Sequence, residues 1–188
     1  MIQLQRLNLD TSLFLEIGGF KVLIDPWLEG TEVDFFSWFN TQWHRTAPLS
    51  FEELPEFDAV LITQKYPDHF HLQTLKKLSP SQIIAPKSLE KKIRKNLPKA
   101  SLAIVDSDTS QMKIGHITLT YLPTRRKVDP IYDAFLLDDG NESVFLAPHG
   151  YQFDDSSRRL VEEASPCQLL VTPFNRYELP FFLGGTVS

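Results

Sequence analysis

Hydrophobic and polar positions alternate over Leu13-Phe-Leu-Glu-Ile17, and a second short apolar run follows over Phe20-Lys-Val-Leu-Ile24, with Gly18-Gly19 between them. Two such runs joined by a Gly-Gly pair predict a β-hairpin. The second run leads into Asp25-Pro26-Trp27. The proline stops the ladder, so Asp25 sits at a strand end facing a loop, where a carboxylate forms turns by accepting from nearby backbone N–H groups. Asp58-Ala-Val-Leu-Ile-Thr63 is apolar, rich in branched residues and does not alternate, the pattern of a buried strand. Leu72, Leu75 and Leu78, with Lys76 and Lys77 polar, predict a helix after it.

Strands and helices keep alternating downstream. Residues 82–85, 101–105 and 167–171 predict strands, and Cys167 reads as a small buried apolar residue. Residues 88–96 predict a helix with Ser88 as its N-cap, and a later helix capped by Asp154 or Asp155 runs through Ala164. Residues 117–122, 131–137 and 144–147 predict a meander, with Asp138-Asp-Gly-Asn141 turning between the last two. Two strand-rich halves with helices between them predict sheets packed face to face and helices outside, an α/β or α+β architecture in one domain spanning 1–188.

Residues 34–45 break the pattern. They are dense in aromatics, follow no clean period and lie between Pro26 and Pro48. Such a segment is a loop whose rings cover a pocket, a self-association patch, or a cap on one end of the core. His44 within it reads as a surface or interface residue.

Composition narrows the function classes. A formal net charge of −5 over 188 residues argues against binding to a nucleic-acid backbone. A single cysteine leaves no internal disulfide and no cysteine-built zinc site. No apolar run approaches the ~18 residues that would span a bilayer. The first residues lack the charged and apolar regions of a signal peptide, so a cytoplasmic location is expected.

The densest chemistry follows the buried strand, where Gln64, Tyr66, Asp68, His69 and His71 fall within eight residues. A strand that runs into a polar loop and then a helix presents side chains at a carboxyl-end edge, where open α/β sheets hold ligands. Asp and His together offer an anionic oxygen and a neutral nitrogen, the donors of metal chemistry. Each has a plainer reading as well. Asp68 would N-cap a helix starting near His69, His69 and His71 would bond the backbone at the helix start, and Tyr66 would pack.

Leu23-Ile-Asp-Pro-Trp27, Val60-Leu-Ile-Thr63, the Asp68-His69 pair and the meander, in that order, resemble the metallo-β-lactamase superfamily. The resemblance lies in a divergent branch of small metal-dependent hydrolases similar to ascorbate-phosphate lactonases. It implies an αββα sandwich with one or two metals, commonly zinc, at the sheet edge. The family's Thr/Ser-His-x-His-x-Asp-His motif stands here as Thr63-Gln-Lys-Tyr-Pro-Asp-His69, keeping the last Asp-His and replacing both earlier histidines by Gln64 and Tyr66. Arg125 and Arg126 stand where another family histidine usually follows a strand, and Ala147-Pro-His149-Gly150 stands near the position of the bridging aspartate. The family normally continues past a segment like Thr172 to Thr186 with a strand, a helix and a loop histidine. The expectation is therefore a sandwich lacking its last elements, with an exposed sheet edge open to dimerisation.

The resemblance further implies a degenerate site holding one divalent metal ion, zinc, on Asp68, His69 and His149, with His71 as a fourth or orienting ligand. Asp68 and His69 are the candidate catalytic residues. Arg125, Arg126 and Tyr66 are the candidate contacts to a small-molecule substrate. A metal-bound hydroxide would attack an ester, lactone, amide or phosphoester. Two other readings stand beside it, a catalytically inactive ligand-binding module and an assembly subunit.

Overall fold

Residues of one short strand here serve two different layers, and this explains the unbroken apolar runs. In the computed structural model, which describes residues 1–34, 40–106, 111–124, 132–172, 177–178 and 186–187, Ala59 and Leu61 face the space between two sheets. Val60 and Ile62 face the helices on the other side. The same division holds for Leu13 and Leu15 against Phe14, and for Val22 and Ile24 against Leu23. A sheet covered on both faces selects apolar residues at every position.

The first sheet is built from β1 (Ile2–Arg6), the hairpin β2 (Leu13–Ile17) and β3 (Phe20–Ile24), and three later strands. Between β3 and those strands the chain makes a separate hairpin, β4 (Thr31–Asp34) and β5 (Asn40–Trp43). Then follow β6 (Ala59–Leu61), α1 (Leu72–Leu78), β7 (Gln82–Pro86), α2 (Glu90–Asn96) and β8 (Ser101–Val105). Strand order is β1-β2-β3-β6-β7-β8, with β3, β6, β7 and β8 parallel and β1 to β3 antiparallel.

The second sheet is the meander β9 (Gln111–Ile114), β10 (Ile117–Leu122), β11 (Ala134–Asp138) and β12 (Ser143–Leu146). After α3 (Asp155–Glu162), β13 (Cys167–Val171) joins β12 in parallel. Its outer face packs on Tyr151, Leu160, Val161 and Ala164, on and beside α3. The layers are therefore helices, sheet, sheet, helix, the αββα sandwich expected. Among the described residues no helix is long and apolar enough to cross a membrane.

Four details differ from the sequence expectation. The aromatic segment is a two-stranded hairpin where the lack of period suggested a loop, and its residues 35–39 lie outside the described residues. Ser88 does not cap a helix, because residues 87–89 form a 3₁₀ turn and α2 begins only at Glu90. The last helix stops at Glu162, two residues before Ala164, with Asp154 as its cap. Cys167 is exposed, because β13 is the edge strand among the described residues.

The turn between β2 and β3 yields the first prediction. Gly18 holds φ +58°, and a Cβ placed there would stand 2.6 Å from Asp139 Oδ2 and 2.9 Å from Asp139 Cβ. Gly19 holds φ +86° with nothing within 4 Å. Both substitutions to alanine bear the left-handed backbone cost of roughly 1–2 kcal/mol. Gly18→Ala must also push the second sheet's turn away. Urea unfolding should rank Gly18→Ala clearly below Gly19→Ala, and equal midpoints would remove the contact argument.

Candidate functional site

Asp25 ends β3, and its parallel neighbour β6 ends beside it, with Ile24 paired to Leu61. The register continues past the strands, because Asp25 N–H donates to Leu61 O at 3.0 Å. The turn at 25–27 is braced from behind. Ser12 Oγ donates to Asp25 O at 2.7 Å and accepts from Trp27 N–H at 2.8 Å, while Asn8 Nδ2 donates to Trp27 O at 2.9 Å. Asp25 holds φ +45°, a left-handed conformation that Asp tolerates better than most side chains.

This geometry turns the Asp25 carboxylate toward the end of β6. Oδ1 accepts from Thr63 N–H at 2.7 Å. Oδ2 accepts from Thr63 Oγ1 at 2.5 Å and from His69 Nδ1 at 2.7 Å. The carboxylate is fully buried, so the turn-forming reading of Asp25 gives way to a larger one: it orients a histidine 44 residues away. Sequence reasoning missed this role. The signal that would have found it is positional, since parallel neighbours β3 and β6 bring residues 25 and 63 side by side.

His69 reaches this place through a tight turn. Its N–H and that of Phe70 both donate to Tyr66 O, at 3.0 and 2.7 Å. Thr11 Oγ1 donates to Asp68 O at 3.1 Å and pins the same loop. An ionised carboxylate only accepts, so the Asp25 contact fixes a proton on Nδ1 and leaves Nε2 to face the site. Nε2 lies 3.1 Å from His149 Nε2 and 3.5 Å from Asp68 Oδ2. Burial works to lower the His69 pKa, but the charge and hydrogen bond of Asp25, helped by Asp68 and Asp10, outweigh it and raise it to about 9. Without a metal, His69 is therefore an imidazolium at neutral pH, and its Nε2–H donates to His149.

His71 is used differently. Its Nδ1 accepts from Thr74 N–H at 3.2 Å and from Thr74 Oγ1 at 2.6 Å, so the imidazole caps α1. Burial lowers its pKa and favours the neutral ring that this acceptor role requires. The helix starts at Leu72, so Asp68 is not its cap. The Tyr66 ring has the Lys65 ammonium 5.3 Å from its centroid. Arg125 and Arg126 lie outside the described residues.

The structure thus brings Asp68, His69 and His149 from two loops to one rim, and adds Asp25 beneath them. Two imidazole nitrogens bound at ~2.0–2.1 Å to one tetrahedral ion stand about 3.3 Å apart. The 3.1 Å separation suits a shared cation as well as it suits a hydrogen bond. A carboxylate on the far nitrogen of a ligating histidine is the usual support for such a ligand. The set is not a closed cage, since among the described residues no group of three or more His, Cys, Asp or Glu side chains is arranged to hold a metal ion. Two imidazoles and a carboxylate meeting at this rim are donor types that divalent cations take.

Known proteins bear on this geometry in three ways. Solved structures share the architecture at low identity. A diiron beta-hydroxylase from Streptomyces venezuelae superposes with TM-score 0.63 at 19% identity, over 90% of this chain and 33% of that one. An isothiocyanate hydrolase from Delia radicum gut bacteria gives 0.63 at 16%, over 87% and 69%. A metallo-beta-lactamase fold protein from Bacillus subtilis gives 0.59 at 15%, over 90% and 70%. The chain spans about a third of the hydroxylase's length and some seven-tenths of the other two. No curated protein matches the sequence. A family model described as the beta-lactamase superfamily domain matches residues 21–180, most of the chain, and the chain belongs to that family, with its metallo-β-lactamase fold.

Proposed function

We propose that the chain is a metal-dependent hydrolase with a single-cation site on His69, His149 and Asp68. The reading rests on one observation, the 3.1 Å approach of two histidines from separate loops over a buried Asp25–His69 pair. A divalent cation bound there, zinc in the first instance, supplies a water acidic enough to be hydroxide near neutral pH. The protein's own residues do the rest. Asp25 keeps Nδ1 protonated and the ring aimed, Thr63 holds Asp25, and Thr11 holds the Asp68 backbone. The substrate is a small molecule with an ester, lactone, amide or phosphoester bond. Arg125 and Arg126, with Tyr66, stay in the proposal as its contacts. A cytoplasmic location belongs to the same reading, as does self-association along β13, where Leu170 is 59% exposed.

A second reading, a ligand-binding module without catalysis, is favoured by Gln64 and Tyr66 at the motif's first two histidine positions and by the open ligand set. Elemental analysis of protein purified without chelator separates the two. The hydrolase reading expects about one divalent metal per chain, lost in Asp68→Ala and in His149→Ala while both variants still fold. Metal-free protein, with both variants as stable as the parent, would leave the binding module.

A further inference from the structure

Hairpin β4–β5 delivers Trp43, His44 and Arg45 to the side of the His69 loop. There they join Leu9, Asp10, Trp27 and Asp68 around a cavity of about 390 Å³. His44 stacks on buried Trp27 with ring centroids 4.1 Å apart. Its Nε2 is buried and has no hydrogen-bond partner among the described residues. Trp43 and Leu9 are 62% and 61% exposed at the mouth.

Two opposite charges line this space. No ion pair or hydrogen bond engages the Asp10 carboxylate or the Arg45 guanidinium among the described residues. Asp10 is exposed as a whole, yet desolvation of its carboxyl raises its pKa against the pull of His69, His44 and Arg6. A carboxylate partly shielded from water, with no direct ion-pair partner among the described residues, favours an incoming cation. A free guanidinium favours a carboxylate, which it grips with two parallel hydrogen bonds. An exposed indole offers its face to apolar groups or cations. One cavity with both signs of charge and an aromatic wall matches a ligand with both signs and an apolar side.

We propose that this cavity binds a small zwitterion of the α-amino acid type, its ammonium at Asp10, its carboxylate at Arg45 and its apolar side chain against Trp43 and Leu9. Binding stands by itself. That the ligand is a substrate rests on the hydrolase reading, with a reacting ester or amide on it directed toward Asp68, which lines the same cavity.

Calorimetric titration of chelator-treated protein with three probes tests it. The probes are L-phenylalanine with both charges, 3-phenylpropionate with only the negative one and 2-phenylethylamine with only the positive one. Phenylalanine should bind at least tenfold more tightly than either. Asp10→Asn should reduce it to the level of 3-phenylpropionate, and Arg45→Gln to that of 2-phenylethylamine. Equal binding by a singly charged probe, or no binding by any, would overturn the proposal on the parent protein alone, whatever the variants do. Because the protein is metal-free throughout, failure here leaves the metal content untouched. A missing metal in turn leaves the titration readable.

Discussion

Asp25→Ala is expected to cost about 3–5 kcal/mol of folding stability, the scale for removing one partner of a buried ion pair. The size follows from what is left behind. Thr63 N–H, Thr63 Oγ1 and His69 Nδ1–H all lose their acceptor inside the protein. Alanine must also hold φ near +45°, which adds part of the loss. Asp25→Asn separates these contributions. It tolerates the backbone and keeps the shape, but it removes the charge that holds His69 as an imidazolium, so it should fall between parent and alanine. Urea unfolding gives all three values. A loss below about 1 kcal/mol in Asp25→Ala would mean that the carboxylate does not stabilise a buried cation.

The same pair predicts how metal-free protein responds to pH. The folded His69 pKa, about 9, lies above the ordinary 6.5. Folding therefore takes up a proton between these values. The stabilisation is complete below pH 6.5, where His69 is protonated folded or unfolded. It declines as pH rises and is gone above about 9, where the folded protein also loses the proton. The difference amounts to roughly 3 kcal/mol at about 1.4 kcal/mol per pKa unit. Chelator-treated protein should therefore unfold at lower urea at pH 9 than at pH 6.5, and Asp25→Asn should flatten the trend. A parent protein equally stable at both values would contradict the buried imidazolium.

Much of the fold was legible because short-range periodicity carries it. The Gly18-Gly19 hairpin, the Val60 strand and the helix at Leu72 each announce themselves within a dozen residues. Boundaries that depend on capping were less legible. Ser88 is a good cap by type, yet the chain spends it on a 3₁₀ turn. The β4–β5 hairpin was hidden because its four-residue strands, Thr31–Asp34 and Asn40–Trp43, are mostly polar and carry no apolar alternation. Cys167 looked buried because its type usually is, and only strand order reveals an edge.

The site was half legible for a related reason. Asp68 and His69 are neighbours in sequence and chemically conspicuous. His149 could be joined to them only through the family resemblance, and the structure sets it 3.1 Å from His69. Asp25 was visible as a strand-end carboxylate, but its partners are 38 and 44 residues away. Nothing local records which strands run side by side. His71 looked like a ligand by type, and its Nδ1 proved to be engaged at the start of α1.

The two-faced strands carry a final consequence. In a strand with one wet face, slipping by a single residue brings polar groups inside and is rejected at once. In β6 a slip merely exchanges one apolar set for another, so greasiness alone cannot choose the alignment. The choice falls to the polar lock where the strand ends. Thr63 meets both oxygens of Asp25 only when β3 and β6 are in step. The group that aims the site's histidine is thus also the alignment key of the central sheet, and weakening it should blur strand pairing as well as chemistry.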